Sequence, residues 1–404
     1  MPGLLPQVDP DGLLEYSVVY TDRALNHMSQ KFQGVMRDIS ALLKTVYHAR
    51  SAIVVPGSGT FGMEAVARQF ATGKQCLVIR NGWFSYRWTQ IFEMGSIPSD
   101  ATVLKARRES DQHQAAFAPA PIAEVVAAIH AQRPDLVFAP HVETAAGMIL
   151  PDDYLRAVAD AVHAVGGLFV LDCIASGTIW VDMASTGVDV LVSAPQKGWS
   201  GPPCCALVML SEAARIRIDA TASTSFAADL KKWLQIMETY EAGGHAYHAT
   251  LPTDALTRLR DVMLETQARG FETARSQQQA LGDAVRALLE RKGFKSVAAP
   301  GFKAPGVVVS YTDDAGLHSS KTFLGLGLQT AAGVPLMCDE PADFKTFRIG
   351  LFGLDKLANI ERSVAHLEQA LNQFGSPVGP LVAAAGVAAA AGLAAGAMAL
   401  SATA

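Results

Sequence analysis

The chain has 404 residues, of which 50% are hydrophobic and 18% charged, and its formal net charge is -5. That length predicts a large core divided between two domains, and the acidic balance offers no basic footprint for nucleic acid. Five cysteines, Cys76, Cys173, Cys204, Cys205 and Cys338, form no CxxC pair and sit mostly in apolar runs, a pattern of buried thiols in a reducing compartment rather than of a metal site or a disulfide scaffold.

The N-terminal stretch MPGLLPQVDPDGLLEYS carries acids and prolines where a secretory signal needs basic residues and then an unbroken apolar segment, so a cytoplasmic location is expected. Residues 1–22 read as an irregular arm. A helix is predicted from Arg23 to Tyr47, with apolar residues at Ala24, Met28, Phe32, Val35, Met36, Ile39, Leu42 and Leu43. The stretch SAIVVPGSGTFGMEAVARQF then reads as strand (Ile53 to Val55), glycine turn (Gly57, Gly59) and helix (Met63 to Phe70). A helix N-terminus behind a glycine turn presents free N–H groups to an anion, and Ser58 and Thr60 can add hydroxyl bonds. The same pattern also joins strands to helices where no ligand binds.

A strand from Cys76 to Ile79 leads to an Asn81-Gly82 turn followed by Trp83, Phe84, Tyr86 and Trp88. One of these aromatics can cover a flat ring, while the others belong to core packing. After a polar connection from Arg107 to Pro121 and a helix from Pro121 to Gln132, the run DLVFAPHVETAAGM gives a strand ending at Glu143 and Thr144. A helix from Asp152 to Val165 follows. This alternation of strands and helices is that of a largely parallel sheet.

Two short apolar strands come next, Leu168 to Leu171 and Val188 to Val192; the first stops at Asp172 and the second runs on to Lys197. In a parallel sheet both side chains emerge near the edge where such sheets bind ligands. A lysine and an acid so placed suit pyridoxal 5'-phosphate (PLP), whose aldehyde condenses with an amine and whose ring nitrogen needs an acidic partner. From these two residues alone, an ordinary strand-end Asp and an ordinary loop Lys are equally open.

CALVML forms a further strand, and residues 231–250 read as polar and irregular, with His245 and His248 in an HxxH spacing that lacks a third metal ligand. A helical connector is expected over 253–293, interrupted near Gly270 and Gly282. A smaller domain over 294–376 holds a strand from Val307 to Tyr311, a Gly-rich middle (Gly325, Gly327, Gly333), TFRIGLFG, and a closing helix from Asp355 to Phe374. The large domain then covers 23–252. The Ala/Gly-rich tail over 377–404 is long enough for a bilayer but weakly hydrophobic and without flanking basic or aromatic anchors. It reads as a loosely docked tail, and a membrane role is not expected.

With these pieces in order, the sequence from Ser51 to Gln373 resembles the class V branch of the fold-type-I PLP enzymes, and within it the alanine:glyoxylate (serine:pyruvate) aminotransferases. The resemblance implies an α/β fold: a mostly parallel central sheet flanked by helices, plus a smaller α/β C-terminal domain. GSGTFGMEA is similar to the family's phosphate loop, which implies phosphate contacts at Ser58, Gly59 and Thr60. NGWFSYR resembles the segment whose fourth residue, here Phe84, stacks on the ring. HVETAAG resembles the loop that places Thr144 near the ring hydroxyl. LDCIAS is similar to the strand that sets Asp172 on the ring nitrogen and Ile174 against the ring face. SAPQKG resembles the lysine motif, making Lys197 the Schiff-base residue and Gln196 a phosphate contact. AYHATLP is similar to a segment that reaches the phosphate from a neighbouring subunit, implying a homodimer with shared sites through Tyr247 and Thr250. TFRIGLFG carries Arg348 where the family holds the substrate carboxylate, although from the residues alone a surface salt bridge is as open.

The activity so implied is transfer of an amino group from a small amino acid to a 2-oxo acid such as glyoxylate or pyruvate, by a ping-pong route through pyridoxamine phosphate. Alternatives on the same scaffold are a different amine donor such as an aminophosphonate, a lyase, or a desulfurase using Cys338 as its nucleophile. A non-catalytic PLP-fold protein is the reading from another class, and Lys197, Asp172 and Arg348 together argue against it. Two departures from the family stand out. The Gly-Pro-rich N-terminal loop that lines its substrate pocket is replaced by EYSVVYTDRALNHM, and bulky Trp83, Trp180 and Trp199 flank three motifs, so the pocket is expected to be reshaped.

Overall fold

The architecture comes from a computed structural model that describes residues 13–374; the tail over 377–404 lies outside the described residues. Seven short strands make the main sheet: β1 (Ser51–Pro56), β2 (Gln75–Arg80), β3 (Asp100–Lys105), β4 (Leu136–Pro140), β5 (Leu168–Asp172), β6 (Val190–Ser193) and β7 (Cys205–Leu210). Their spatial order is β1-β7-β6-β5-β4-β2-β3. β7 runs antiparallel to both its neighbours and the other pairs are parallel, as the alternation of strands and helices predicts. β4, β5, β6 and β7 are buried along their whole length, because helices cover both faces of the sheet and leave no solvated side to alternate with.

Helix α1 (Gln30–Tyr47) starts later than the expected Arg23. Ser29 caps it by accepting from the Phe32 N–H, and Asn26 bonds the Met28 N–H, so local polar bonds compete with the helix through residues 23–29. Helix α2 (Gly59–Phe70) lies so close to the sheet that a Cβ on Gly62 would come within 2.4 Å of Ala206 Cβ. Helix α3 (Trp83–Gly95) follows β2 directly.

Four other elements differ from the sequence expectation. Edge strand β3 was not expected; it is only half-buried and lacks an apolar run. The stretch expected to be irregular contains a helix over Leu230–Glu241, capped by Asp229, whose Leu230, Trp233, Leu234, Met237 and Tyr240 form a buried stripe masked in sequence by lysines and glutamates on the other face. The connector breaks at Gly270, where φ is +94°, but not at Gly282. The helix runs straight through Gly282, and a Cβ there would lie 2.6 Å from the Pro305 backbone, so glycine serves close packing rather than a turn. The closing helix is two pieces, Leu354–Ala358 and Ile360–Asn372.

A second, three-stranded antiparallel sheet is built from β8 (Val307–Tyr311), β9 (Ala331–Ala332) and β10 (Thr346–Gly350), in the order β8-β10-β9. Its core joins Phe347 and Ile349 to Leu281, Val285 and Leu288 of the helix Phe271–Arg291. Among the described residues no helix is long and apolar enough to cross a membrane.

Candidate active site

Register sets the site. Pro140, Asp172 and Val192 lie side by side across β4, β5 and β6, so these strands end at one carboxyl edge, and the loop after β6 carries Lys197 back over it. A Cβ on Gly198 would meet Gly177 O at 2.0 Å, so this loop lies directly against the turn that follows Asp172. β10 brings Arg348 from the smaller sheet. A cavity of about 360 Å³ opens between them and is lined by Ser58, Gly59, Thr60, Phe84, Thr144, Asp172, Ile174, Gln196, Lys197 and Arg348. All of these are residues that the motifs singled out, drawn together from six separate segments.

Tyr247 and Thr250 are not among the lining residues of this protomer's cavity. They bond each other, with 3.2 Å between Tyr247 Oη and Thr250 Oγ1, and Tyr247 is 54% exposed. The stretch Glu15–Asn26 also stays away from the cavity; Tyr20 donates to Leu251 O at 3.1 Å and the Leu25 N–H to Asp254 Oδ1. Trp180 and Trp199 stack 4.6 Å apart in the core with Tyr47 and Phe271, so they do not reshape this cavity. His248 bonds Phe226 O, and no group of three metal-ligating side chains occurs among the described residues. Cys338 is buried, its thiol pushed up to about 12 chiefly by burial, and it lines a different groove beside Lys105 and Asp339.

The electrostatics suit acid and amine chemistry. Asp172 is 6% exposed and accepts the Ile174 N–H at 2.9 Å. Burial, reinforced by nearby Glu143, raises its pKa to about 7 against the opposing Ile174 hydrogen bond and Arg87. Burial also lowers the Lys197 pKa, and the charges of Arg348 and Arg87 lower it further, which favours the neutral, nucleophilic amine. Lys197 Nζ sits 4.9 Å from the centre of the Phe352 ring.

Glu143, Arg87 and Phe352 were not singled out by the motifs. Glu143 is fully buried and serves as the missing cap of α3, whose N-cap position is Gly82. Its carboxylate accepts from Phe84 N (3.2 Å), Ser85 N (2.9 Å), Ser85 Oγ (2.7 Å) and Ala145 N (3.0 Å). A Cβ on Gly82 would lie 2.7 Å from Glu143 Cγ, so the glycine admits the carboxylate to the positive end of the helix. Phe84 and Thr144 are thus fixed by one group. A capless Asn-Gly turn before an aromatic helix, with an unpaired acid in a distant apolar run, is the signal in the sequence.

The fold and the cavity define a class: an α/β protein with a lysine and a buried acid at a sheet edge beside a glycine turn and helix N-terminus. Residues 12–325 match the family model described as aminotransferase class-V, and the chain belongs to that family. It is 25% identical over 361 residues to the alanine–glyoxylate aminotransferase of Rattus norvegicus, covering 86% of this chain and 82% of the relative. It is 27% identical over 362 residues to 2-aminoethylphosphonate–pyruvate transaminase 2 of Paraburkholderia xenovorans, covering 88% and 90%. The ureidoglycine–glyoxylate aminotransferase of Bacillus subtilis shares the fold, with a TM-score of 0.71, 22% identity and 90% of each chain covered. The protein is a class V transaminase that uses pyridoxal phosphate.

The cavity fits that cofactor. Its acid is buried and donates nothing to the fold, its amine is half-buried and points over an aromatic ring, and its glycine turn cannot be filled: a Cβ on Gly59 would meet Ile174 Cδ1 at 2.6 Å. Ser58 holds the N-cap position of α2 without making a capping bond, leaving its hydroxyl and the first-turn N–H groups to a ligand.

Two outcomes follow from this electrostatic arrangement. In the cofactor-free protein Asp172 has a folded pKa near 7 against about 4 when unfolded. The stability it contributes is therefore full below about pH 4 and is lost as pH rises through 7. Asp172→Asn should gain stability relative to wild type across that window, by up to about 4 kcal/mol, in paired thermal melts from pH 4 to 8; a pH-independent difference contradicts it. Glu143→Gln replaces one of the two acceptor oxygens with an amide NH2 group that faces backbone or hydroxyl donors and should cost about 1.5–3 kcal/mol, read in urea denaturation, with weaker cofactor retention as Phe84 loosens.

Proposed function

We propose that the protein moves the amino group of a small amino acid, alanine, serine or similar, to a 2-oxo acid such as glyoxylate or pyruvate. The observation that carries this reading is the convergence of Lys197, Asp172 and Arg348 on one cavity from three separate elements, the last of them in the other sheet. Bound pyridoxal phosphate supplies an aldehyde for an amine and a ring that takes up the electron pair left at Cα. Asp172 is the acid that keeps the ring nitrogen protonated. With the cofactor bound, Lys197 Nζ would be its Schiff-base residue and, once freed, the base that carries a proton between the substrate Cα and the cofactor's C4′. Its lowered pKa suits both tasks. Arg348 forks to the substrate carboxylate with its terminal nitrogens, while its Nε–H is anchored to Ala332 O at 2.8 Å. Ser58, Gly59, Thr60 and Gln196 hold the phosphate, Phe84 and Ile174 the two ring faces, and Thr144 the ring hydroxyl.

The working form in this reading is a homodimer in the cytoplasm whose subunits lend each other Tyr247 and Thr250. Exposed Tyr247 and Phe226, with Tyr16 and Val18 on the N-terminal stretch, support a large apolar contact there, and five buried free thiols support a reducing compartment. The chain divides, in the same reading, into a cofactor-holding unit over 23–252, a connector over 253–293 and a smaller unit over 294–376. A desulfurase is disfavoured by the buried Cys338. A second donor class is favoured by one observation, the surplus of cations around the cavity, where Arg87, Lys197 and Arg348 face a single acid, Asp172: an aminophosphonate, the substrate named for one of the relatives.

Borohydride reduction of the purified protein followed by peptide mapping should label Lys197; a label on another lysine sinks the site. A half-reaction screen, following loss of the cofactor's visible band, then ranks amino acids against aminophosphonates. Arg348→Lys keeps the charge but not the planar fork, and should lower kcat/KM about 10- to 150-fold for donor and acceptor alike, with the absorbance band of the resting enzyme unchanged. If amines without any acidic group are the better donors and Arg348→Lys spares them, the amino-acid reading fails.

A further inference from the structure

We infer that Arg87 is the cationic partner of the cofactor's phosphate, an inference that rests on the reading of the cavity as a PLP site. Arg87 lies one helical turn after Phe84 on α3, on the same face, and both line the cavity. Its guanidinium carbon is 4.7 Å from the centre of the Phe84 ring, and Nη1 donates to Thr60 Oγ1 at 3.2 Å. Thr60 is the second residue of α2, just behind the glycine turn. Arg87 therefore spans from the aromatic to the phosphate loop, and it bonds a neutral hydroxyl where an ion pair with a carboxylate would have neutralised it.

Charge allocation leads to the same place. Ser58, Thr60 and Gln196 are uncharged, and the first-turn N–H groups of α2 supply only the partial charge of a helix end. A phosphate bearing close to two negative charges at neutral pH needs a full positive charge nearby. Lys197 is consumed by its bond to the cofactor, and Arg348 stands on β10, where its Nε–H is tied to Ala332 O. Arg87 is the cation left among the charged lining residues, and its planar fork matches phosphate oxygens while its guanidinium lies over the Phe84 ring. Stacking and anion binding then reinforce each other: the ring that covers the cofactor also fixes the guanidinium that grips its tail.

The test is a titration of the full-length protein, stripped of cofactor, with PLP and in parallel with pyridoxal, which lacks the phosphate, following quenching of tryptophan fluorescence. Arg87→Met should raise the Kd for PLP about 10- to 100-fold and leave that for pyridoxal within about twofold, so that discrimination between the two collapses. Inorganic phosphate should compete with PLP in wild type and lose that effect in the variant. Arg87→Lys, which retains a charge, should fall between, and it decides the matter if the Met variant does not fold. An unchanged ratio of PLP to pyridoxal affinity overturns the inference, as does an equal loss of both ligands, which assigns Arg87 to holding Phe84 alone. A rise in KM confined to donors with an extra acidic group, with PLP affinity intact, also overturns it. Failure of wild type to bind PLP at all would instead strike the reading of the site.

Discussion

The site depends first on the parallel register of β4, β5 and β6. Because these strands lie side by side with their carboxyl ends level, the residues that follow each one are delivered to the same edge without any long-range pairing of side chains. Asp172 ends β5 and Lys197 follows β6, so the separation of acid and amine is fixed by backbone hydrogen bonds. Helices on both faces bury the sheet, and that burial is also what raises the Asp172 pKa and lowers the Lys197 pKa. One packing decision thus sets both position and reactivity.

Around that edge the charges are unevenly distributed. Arg87, Lys197 and Arg348 face the cavity while one acid, Asp172, lines it. The other nearby carboxylate, Glu143, is directed away into the cap of α3, where four donors satisfy it. A buried carboxylate with its hydrogen bonds complete is tolerated in the interior, and its negative charge still reaches Asp172 and Arg348. The cavity is left with a positive surplus that suits a phosphorylated cofactor and an anionic substrate in turn.

The two sheets have different duties. The main sheet carries the glycine turn, the acid and the amine; the smaller one contributes Arg348 on β10, while Phe352 follows that strand. The cavity is lined from both, so the rigidity of the helix Phe271–Arg291, which carries the core of the smaller sheet, bears on the site as directly as the strands do. Close packing of Gly282 against the Pro305 backbone is part of that rigidity, as is the bond from the Gln278 side chain to Leu351 O at 3.3 Å.

The sequence by itself determined the parallel α/β pattern, the glycine turn, and the strand-end acid and loop lysine, because each is a local signal: a short apolar run, a glycine pair or a polar residue at a strand's end. It misjudged the helix Leu230–Glu241, the start of α1 and the role of Gly282, where tertiary packing or a cap outweighs composition. Edge strand β3 escaped for the same reason, since pairing with β2 rather than burial makes it a strand. The partners of Glu143 and Arg87 were decided by tertiary structure: the capless Asn-Gly turn and the buried acid are visible in the sequence, but not their pairing. A carboxylate that caps a helix some 60 positions earlier in the chain, and an arginine that joins α3 to the first turn of α2, have no periodicity to reveal them, and their partners are chosen only when the strands set the helices side by side.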